Sequence, residues 1–139
     1  MTDLFNKKVT IYNDISEDKV NHRRWDKKTI NKCNIQGGHI TETDGTIANI
    51  VNAKNVITKD ISRYKPYIEY SKLPENVRGD YFTAKAGDFI VFSEVDDIVT
   101  TAQEFSQLQQ KYKDSGIKVT SFSANIYGMS VDNIRFTNS

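Results

Sequence analysis

The tetrapeptide Phe89-Ile90-Val91-Phe92 constrains this chain more than any other stretch. Alternate side chains of an extended strand point to opposite faces, so Phe89 and Val91 share one side and Ile90 and Phe92 the other. A strand that is apolar on both sides needs cover on both. One cover is expected from a facing sheet, the other from the helix that follows or from a neighbouring subunit. Lys85-Ala86-Gly87-Asp88 leads into the strand as a tight turn, with Gly87 free to adopt positive φ. Tyr81-Phe82-Thr83 before it has the composition of a strand end.

The following helix, expected over about residues 100–114, has its own start signal. Thr101 and Glu104 fit a capping box, in which hydroxyl and carboxylate each satisfy an orphan backbone N–H. Ala102, Phe105, Leu108 and Tyr112 recur at spacings of three and four and form one apolar stripe. Gly116 suits a left-handed helix terminator, and Lys111 and Lys113 complement the negative end of the helix dipole.

Elsewhere the patterning is that of strands. Residues 7–13 read as a first strand with Val9 and Ile11 on one face, and residues 14–20 as a polar loop. From Lys19 to Lys32 there are six Lys/Arg and one acid, with Trp25 among them. Two readings fit. Arg23, Arg24, Trp25, Lys27 and Lys28 could form a phosphate-tracking strand with a stacking aromatic, as on single-stranded nucleic-acid platforms. Alternatively, Trp25, Cys33 and Ile35 share odd parity and face inward while the lysines stay in water. Gln36-Gly37-Gly38 breaks this strand, and Thr43-Asp44-Gly45 marks a turn, so a short hairpin is expected over residues 39–50. Ile47, Ile50 and Val51 also fit a helical turn. One more strand is expected around residues 54–58.

Residues 61–80 carry both prolines and no sustained period, which predicts an irregular excursion with a short helical turn near residues 71–76. Its Tyr64, Tyr67 and Tyr70 are candidate subunit or partner contacts, since tyrosine gives contact area at low entropic cost; packing of the loop onto its own barrel is the other reading. Residues 118–122 and 132–136 read as two closing strands joined through a turn at Gly128, with a bulge or bend between Val119 and Phe122. The fold class is therefore mainly β: a small antiparallel β-barrel or sandwich with one amphipathic helix, in a single domain over residues 1–139.

Chemistry is sparse. His22 and His39 are the only histidines, and neither stands near Cys33 at a metal-ligand spacing. Glu94, Asp96 and Asp97 lack the oxygen ligands and central glycine of a calcium loop. Gly37-Gly38 matches no phosphate-binding pattern, and no serine sits in a nucleophile context. No catalytic, cofactor or metal site is expected, and no enzyme. The single cysteine forms no internal disulfide and suits a reducing compartment. No apolar run approaches the roughly 20 residues of a membrane helix, and the N-terminus shows no export signal. The net charge of +1 argues against a general nucleic-acid binder. Its distribution is uneven: residues 1–72 hold 13 Lys/Arg against 9 Asp/Glu, the remainder 6 against 9. Such polarity can guide subunits to stack head to tail, or it is simply a solvated surface.

Phe82, Thr83, Gly87, Asp88, Ile90, Val91, Glu94 and Val95, followed by the helix, a strand, the turn at Gly128 and a last strand, resemble small virion proteins of tailed phages and prophages of Gram-positive hosts. The opening VTIYN and the strand holding Trp25 and Cys33 are similar too. The middle, residues 36–80, departs from that pattern, and the last strand lacks a His/Trp-rich ending. The resemblance implies a head-closure or stopper-like connector: a β-barrel assembled as a homo-oligomeric ring in the virion neck, made in the host cytoplasm. Its partners would be a portal or adaptor protein, tail proteins and DNA passing without sequence-specific binding, with no membrane. In that block Gly87, Asp88 and Gly128 are turn residues. A tail-completion or tail-terminator protein, and a small nucleic-acid-binding β-barrel module, are the competing readings.

Overall fold

The computed structural model describes residues 7–16, 23–36, 39–43, 47–51, 53–128 and 132–138. Its elements are β1 (Lys7–Ser16), β2 (Arg23–Gln36), β3 (His39–Thr43), β4 (Ile47–Val51), β5 (Asn55–Thr58), α1 (Tyr67–Ser71), α2 (Glu75–Arg78), β6 (Phe89–Val91), α3 (Ala102–Lys111), β7 (Gly116–Lys118), β8 (Ser121–Asn125) and β9 (Asn133–Thr137). Among the described residues, seven strands form one antiparallel sheet in the order β7-β6-β1-β2-β5-β9-β8, and β3–β4 forms a separate two-stranded ladder. The mainly β fold with one long amphipathic helix is as the sequence predicts. The expected hairpin is β3–β4, which settles Ile47, Ile50 and Val51 as strand. Its tip, residues 44–46, lies outside the described residues.

The sheet is sandwich-like and not closed by a ladder. Its two edges, β7 and β8, are nevertheless consecutive in the chain, separated only by Val119 and Thr120. There the backbone changes partners. Val119 N–H donates to the Asp88 carbonyl (2.7 Å) and its own carbonyl accepts from Gly87 N–H (2.8 Å), while Thr120 N–H donates to the Thr137 carbonyl (2.8 Å). The bend expected between Val119 and Phe122 is this crossing from one end of the sheet to the other.

The curl buries one face on itself. Val9, Ile11, Ile30, Cys33, Val56, Ile90, Ile117, Ile134 and Phe136 form that core, with Phe82 and Ala84 added from the segment before β6. The opposite face carries Tyr12, Trp25, Phe89 and Val91, covered by Val99 and by Phe105 and Leu108 of α3. Both faces of β6 are thus covered from within the chain, and no neighbouring subunit is needed for that purpose. Burying Phe105 and Leu108 contributes roughly 1.5–3 kcal/mol each. Ala102, expected on the same stripe, is exposed. The helix starts as expected, with Glu104 N–H donating to Thr101 Oγ1 (3.1 Å), but the Glu104 carboxylate accepts from the Thr100 N–H (3.3 Å) and hydroxyl (2.5 Å), one residue earlier than a capping box.

Several local expectations are overturned by pairing. Residues 14–16 continue β1 because Asp14, Ile15 and Ser16 pair with Trp25, Arg24 and Arg23. Tyr81–Thr83 forms no strand; Phe82 makes a single parallel bridge to Tyr64. The excursion over residues 61–80 holds two short helices instead of one turn. Gly116 is not a left-handed helix terminator but a strand residue pressed against β6. A Cβ there would meet the Ile90 carbonyl at 2.7 Å and the Phe89 ring at 2.8 Å.

The largest departure is in β2. Cys33 pairs with Lys7 but Ile30 with Val9, so Asn31 and Lys32 together stand opposite Lys8. This is a β-bulge, and Lys32 takes a left-handed φ of 54°. One extra residue reverses side-chain parity. Trp25 therefore faces α3, whereas Cys33 faces the other core, although both have odd numbers. The bulge is held by Thr58 Oγ1 donating to the Asn31 carbonyl (2.7 Å), Asn31 N–H donating to Asp60 Oδ2 (3.1 Å), and Lys59 N–H donating to the Lys32 carbonyl (3.0 Å).

A left-handed residue with a Cβ costs roughly 1–2 kcal/mol, and a β-branched one more. Lys32→Gly is expected to be neutral or stabilising by up to about 1 kcal/mol after glycine's entropy cost. Lys32→Ile is expected to destabilise by about 1–2 kcal/mol. Urea unfolding of both variants checks the pair; equal effects would mean that the bulge does not require this conformation.

Candidate functional site

The turn before β6 is built around Asp88. Its carboxylate is fully buried and accepts from the Asp14 N–H (3.0 Å), the Lys85 N–H (2.9 Å) and Asn13 Nδ2 (2.8 Å). Asn13 Nδ2 also donates to the Thr83 carbonyl (2.7 Å). Gly87 takes a φ of 101°, as the turn requires. Asp88 thus joins β1, the turn and the segment before it. It is a buried structural carboxylate with three donors.

The three tyrosines sit on their own fold. Tyr70 is fully buried, its hydroxyl donating to Asp26 Oδ2 (2.5 Å) and accepting from Lys28 Nζ (3.4 Å). A ring with no exposed surface is not available to a partner, so Tyr70 is removed from the candidate contacts. Tyr64 is half-buried against Phe82, ring centroids 5.9 Å apart, and burial raises its hydroxyl pKa. Tyr67 is half-buried beneath the Lys85 ammonium, 5.5 Å from the ring centre. Arg63 Nη1 donates to the Thr29 carbonyl (3.1 Å), tying the excursion across β2. For Tyr70 the structure selects the second of the two sequence readings, packing onto its own fold; the partners of Tyr70 and Arg63, Asp26 and Thr29, lie 44 and 34 residues upstream and could not be read from local pattern.

The basic strand does not present a stacking aromatic. Trp25 is buried against Phe105, ring centroids 5.4 Å apart. Lys27 Nζ donates to the Val95 carbonyl (3.3 Å), while the side chains of Arg23 and Arg24 lie outside the described residues, as do His22 and the His39 side chain. Burial pushes the Cys33 thiol up to about 12, so it behaves as a core side chain and not as a nucleophile. In the acidic loop Asp97 is committed to Lys111 Nζ (2.7 Å) and the Tyr112 hydroxyl (2.6 Å), and these hydrogen bonds lower its pKa. Among the described residues no three His, Cys, Asp or Glu side chains converge on a metal position.

What remains is the sheet edge at β8, which among the described residues is paired on one side only, with β9. Phe122 stands opposite Phe136, and Ala124 opposite Ile134. Directly opposed residues share a face. Yet Phe136 and Ile134 are fully buried, while Phe122 is 36 % exposed and Ala124 is exposed too. Cover on the core face therefore fails at the last strand. Beyond it Ile126 is 41 % and Tyr127 75 % exposed, next to Gly128 at a φ of 80°. The Asp132 carboxylate fixes this turn by accepting from the Tyr127 (3.0 Å) and Gly128 (2.8 Å) N–H groups. The sequence holds no charged residue from Val119 to Val131, a signal that charge counting along the strand would have exposed. Natural edges are normally blunted by lysine, proline or bulges; β8 has no lysine or proline.

A family model described as a family of unknown function (DUF6751) matches residues 4–137. No curated protein and no solved structure matches the chain.

Burial is the dominant influence on Asp88 and raises it to about 6, against its three hydrogen bonds; the unfolded carboxylate titrates near about 3.9. Between those values the native state keeps a proton that the unfolded chain has lost. The contribution to stability is therefore present below about pH 4 and lost as pH rises through about 6. Asp88→Asn removes the titration. The stability of the unmodified protein relative to this variant is expected to fall by on the order of 1–3 kcal/mol between about pH 4 and pH 7. Urea titrations across that range check the sign, and a rising difference would contradict it.

Proposed function

We propose that this chain, which belongs to the family of unknown function matched over residues 4–137, is a structural virion subunit of a tailed phage. It serves in the head–tail connector as a head-closure or stopper-like ring that joins portal to tail and helps retain DNA. The observation that carries this reading is the β8 edge, an uncharged strand with exposed apolar side chains where the core loses its cover. Such an edge fits a subunit completed by a neighbour. The same contact repeated around an axis is heterologous and closes a ring when the rotation permits. The resemblance of the block at residues 82–95 supports the same assignment. A buried Trp25 weighs against the nucleic-acid-platform alternative.

In this reading the portal or adaptor and the tail proteins contact the two ends of the ring, and DNA passes through without sequence-specific readout. Neither catalysis nor a cofactor is part of it.

The test is to purify tailed-phage particles from a host carrying the gene, detect the chain by mass spectrometry, and image the particles. A multi-copy ring at the head–tail junction is expected. Absence from particles would overturn the virion assignment, and a position at the tail end would replace head closure by tail completion. A Phe122→Lys/Ala124→Lys variant is expected to fold, losing about 1–2 kcal/mol from the partly covered Phe122 ring, yet to be excluded from particles. Normal incorporation would remove β8 from the subunit contact.

A further inference from the structure

A cavity of about 350 Å3 opens where β7 approaches the segments flanking β5 and β9, next to the C-terminal end of α3. Among the described residues its wall carries Lys54, Lys113 and Lys118 together with the amides of Gln109 and Asn138, and no acidic side chain. The backbone positions are tightly set. Asn138 N–H donates to the Lys54 carbonyl (2.9 Å) and Asn138 Nδ2 to the Lys118 carbonyl (2.7 Å), fastening the chain after β9 to both lysine-bearing segments. Lys118 is the cross-strand partner of Phe89, on the face covered by α3. Lys113 and Gln109 come from the helix end above it.

These lysines differ from others nearby. Lys111 is paired with Asp97, and Lys27 and Lys28 are hydrogen-bonded. Among the described residues, none of Lys54, Lys113 and Lys118 is in an ion pair. Three like charges around one concavity repel one another and attract a multivalent anion. The C-terminal end of α3 contributes about half a negative charge to the same region, too little to offset three ammonium groups. The apolar floor offers no stacking platform, because Phe89 is only 3 % exposed. Recognition would rest on charge and amide donors, the chemistry of a phosphate group.

We propose that the cavity between Lys54, Lys113 and Lys118 is a phosphate-binding site, taking either a small phosphate compound or a backbone phosphate of nucleic acid. The inference is independent of the assembly reading. Its probes are pyrophosphate, followed by amide chemical-shift mapping, and a short DNA duplex, followed by fluorescence anisotropy at about 50 and about 200 mM salt.

On the unmodified protein, pyrophosphate is expected to shift the amides of Lys54, Lys118 and Asn138 at millimolar concentration. K54Q/K113Q/K118Q is expected to weaken binding by about tenfold or more, while the charge-matched K7Q/K8Q/K72Q is not. If the duplex binds, the site variant is expected to lower the salt slope by up to about 2.7, the share of three phosphate contacts. Pyrophosphate binding without duplex binding assigns the site to a small phosphate compound; duplex binding with the altered slope assigns it to a nucleic-acid backbone. No shift of those amides by about 10 mM pyrophosphate, or equal losses in the site and control variants, would overturn the proposal. Mapping on the unmodified chain keeps the test decisive even if the triple variant folds poorly.

Discussion

The structure depends on β6 being apolar on both faces. A strand of this kind cannot sit at a solvent-facing layer, since either side would expose two large apolar residues. The fold resolves this by placing β6 between β1 and β7 and supplying a different cover to each side. Ile90 enters the core made by the curled sheet, while Phe89 and Val91 meet α3. The close approach of β7 to β6 leaves space only for glycine at residue 116.

The two cores have to be kept distinct along β2, which runs past both. A regular strand of fourteen residues would hold one parity throughout. The bulge at Asn31 and Lys32 changes parity midway, so that Trp25 joins the helix side and Ile30 and Cys33 the other. Thr58 and Asp60 supply the hydrogen bonds that hold the bulge, and they arrive through the pairing of β5 with β2. A local backbone cost is thereby offset by contacts that exist only once the sheet has formed.

The same sheet explains where the molecule has surface to offer. Both sides of β6 are satisfied internally, and the tyrosine-bearing excursion is fastened onto β2 through Tyr70 and Arg63. Interaction capacity is left at the sheet's ends. One is the uncharged β8 edge, paired on one side only among the described residues; the other is the lysine-lined cavity where β7 approaches the segments flanking β5 and β9. Both arise because a single run of chain, from Gly116 to Asn125, serves the two extremes of one sheet.

The sequence by itself determined what depends on neighbours a few residues apart. The cap at Thr101, the Phe105–Leu108 face of α3, the positive-φ glycine at residue 87 and the hairpin pairing His39–Thr43 with Ile47–Val51 are local consequences of side-chain type and spacing. Only the tertiary structure decided what depends on distant partners. The opposite facing of Trp25 and Cys33 needs Thr58 and Asp60, and the burial of Tyr70 needs Asp26. The conversion of Gly116 from a presumed helix stop to a close-packing residue needs Ile90. The exposed β8 edge was half legible: its lack of charge is written in residues 119–131, but an uncharged strand can equally be central. Its place at the edge follows from which strand pairs with which, and pairing is fixed by packing over the whole chain.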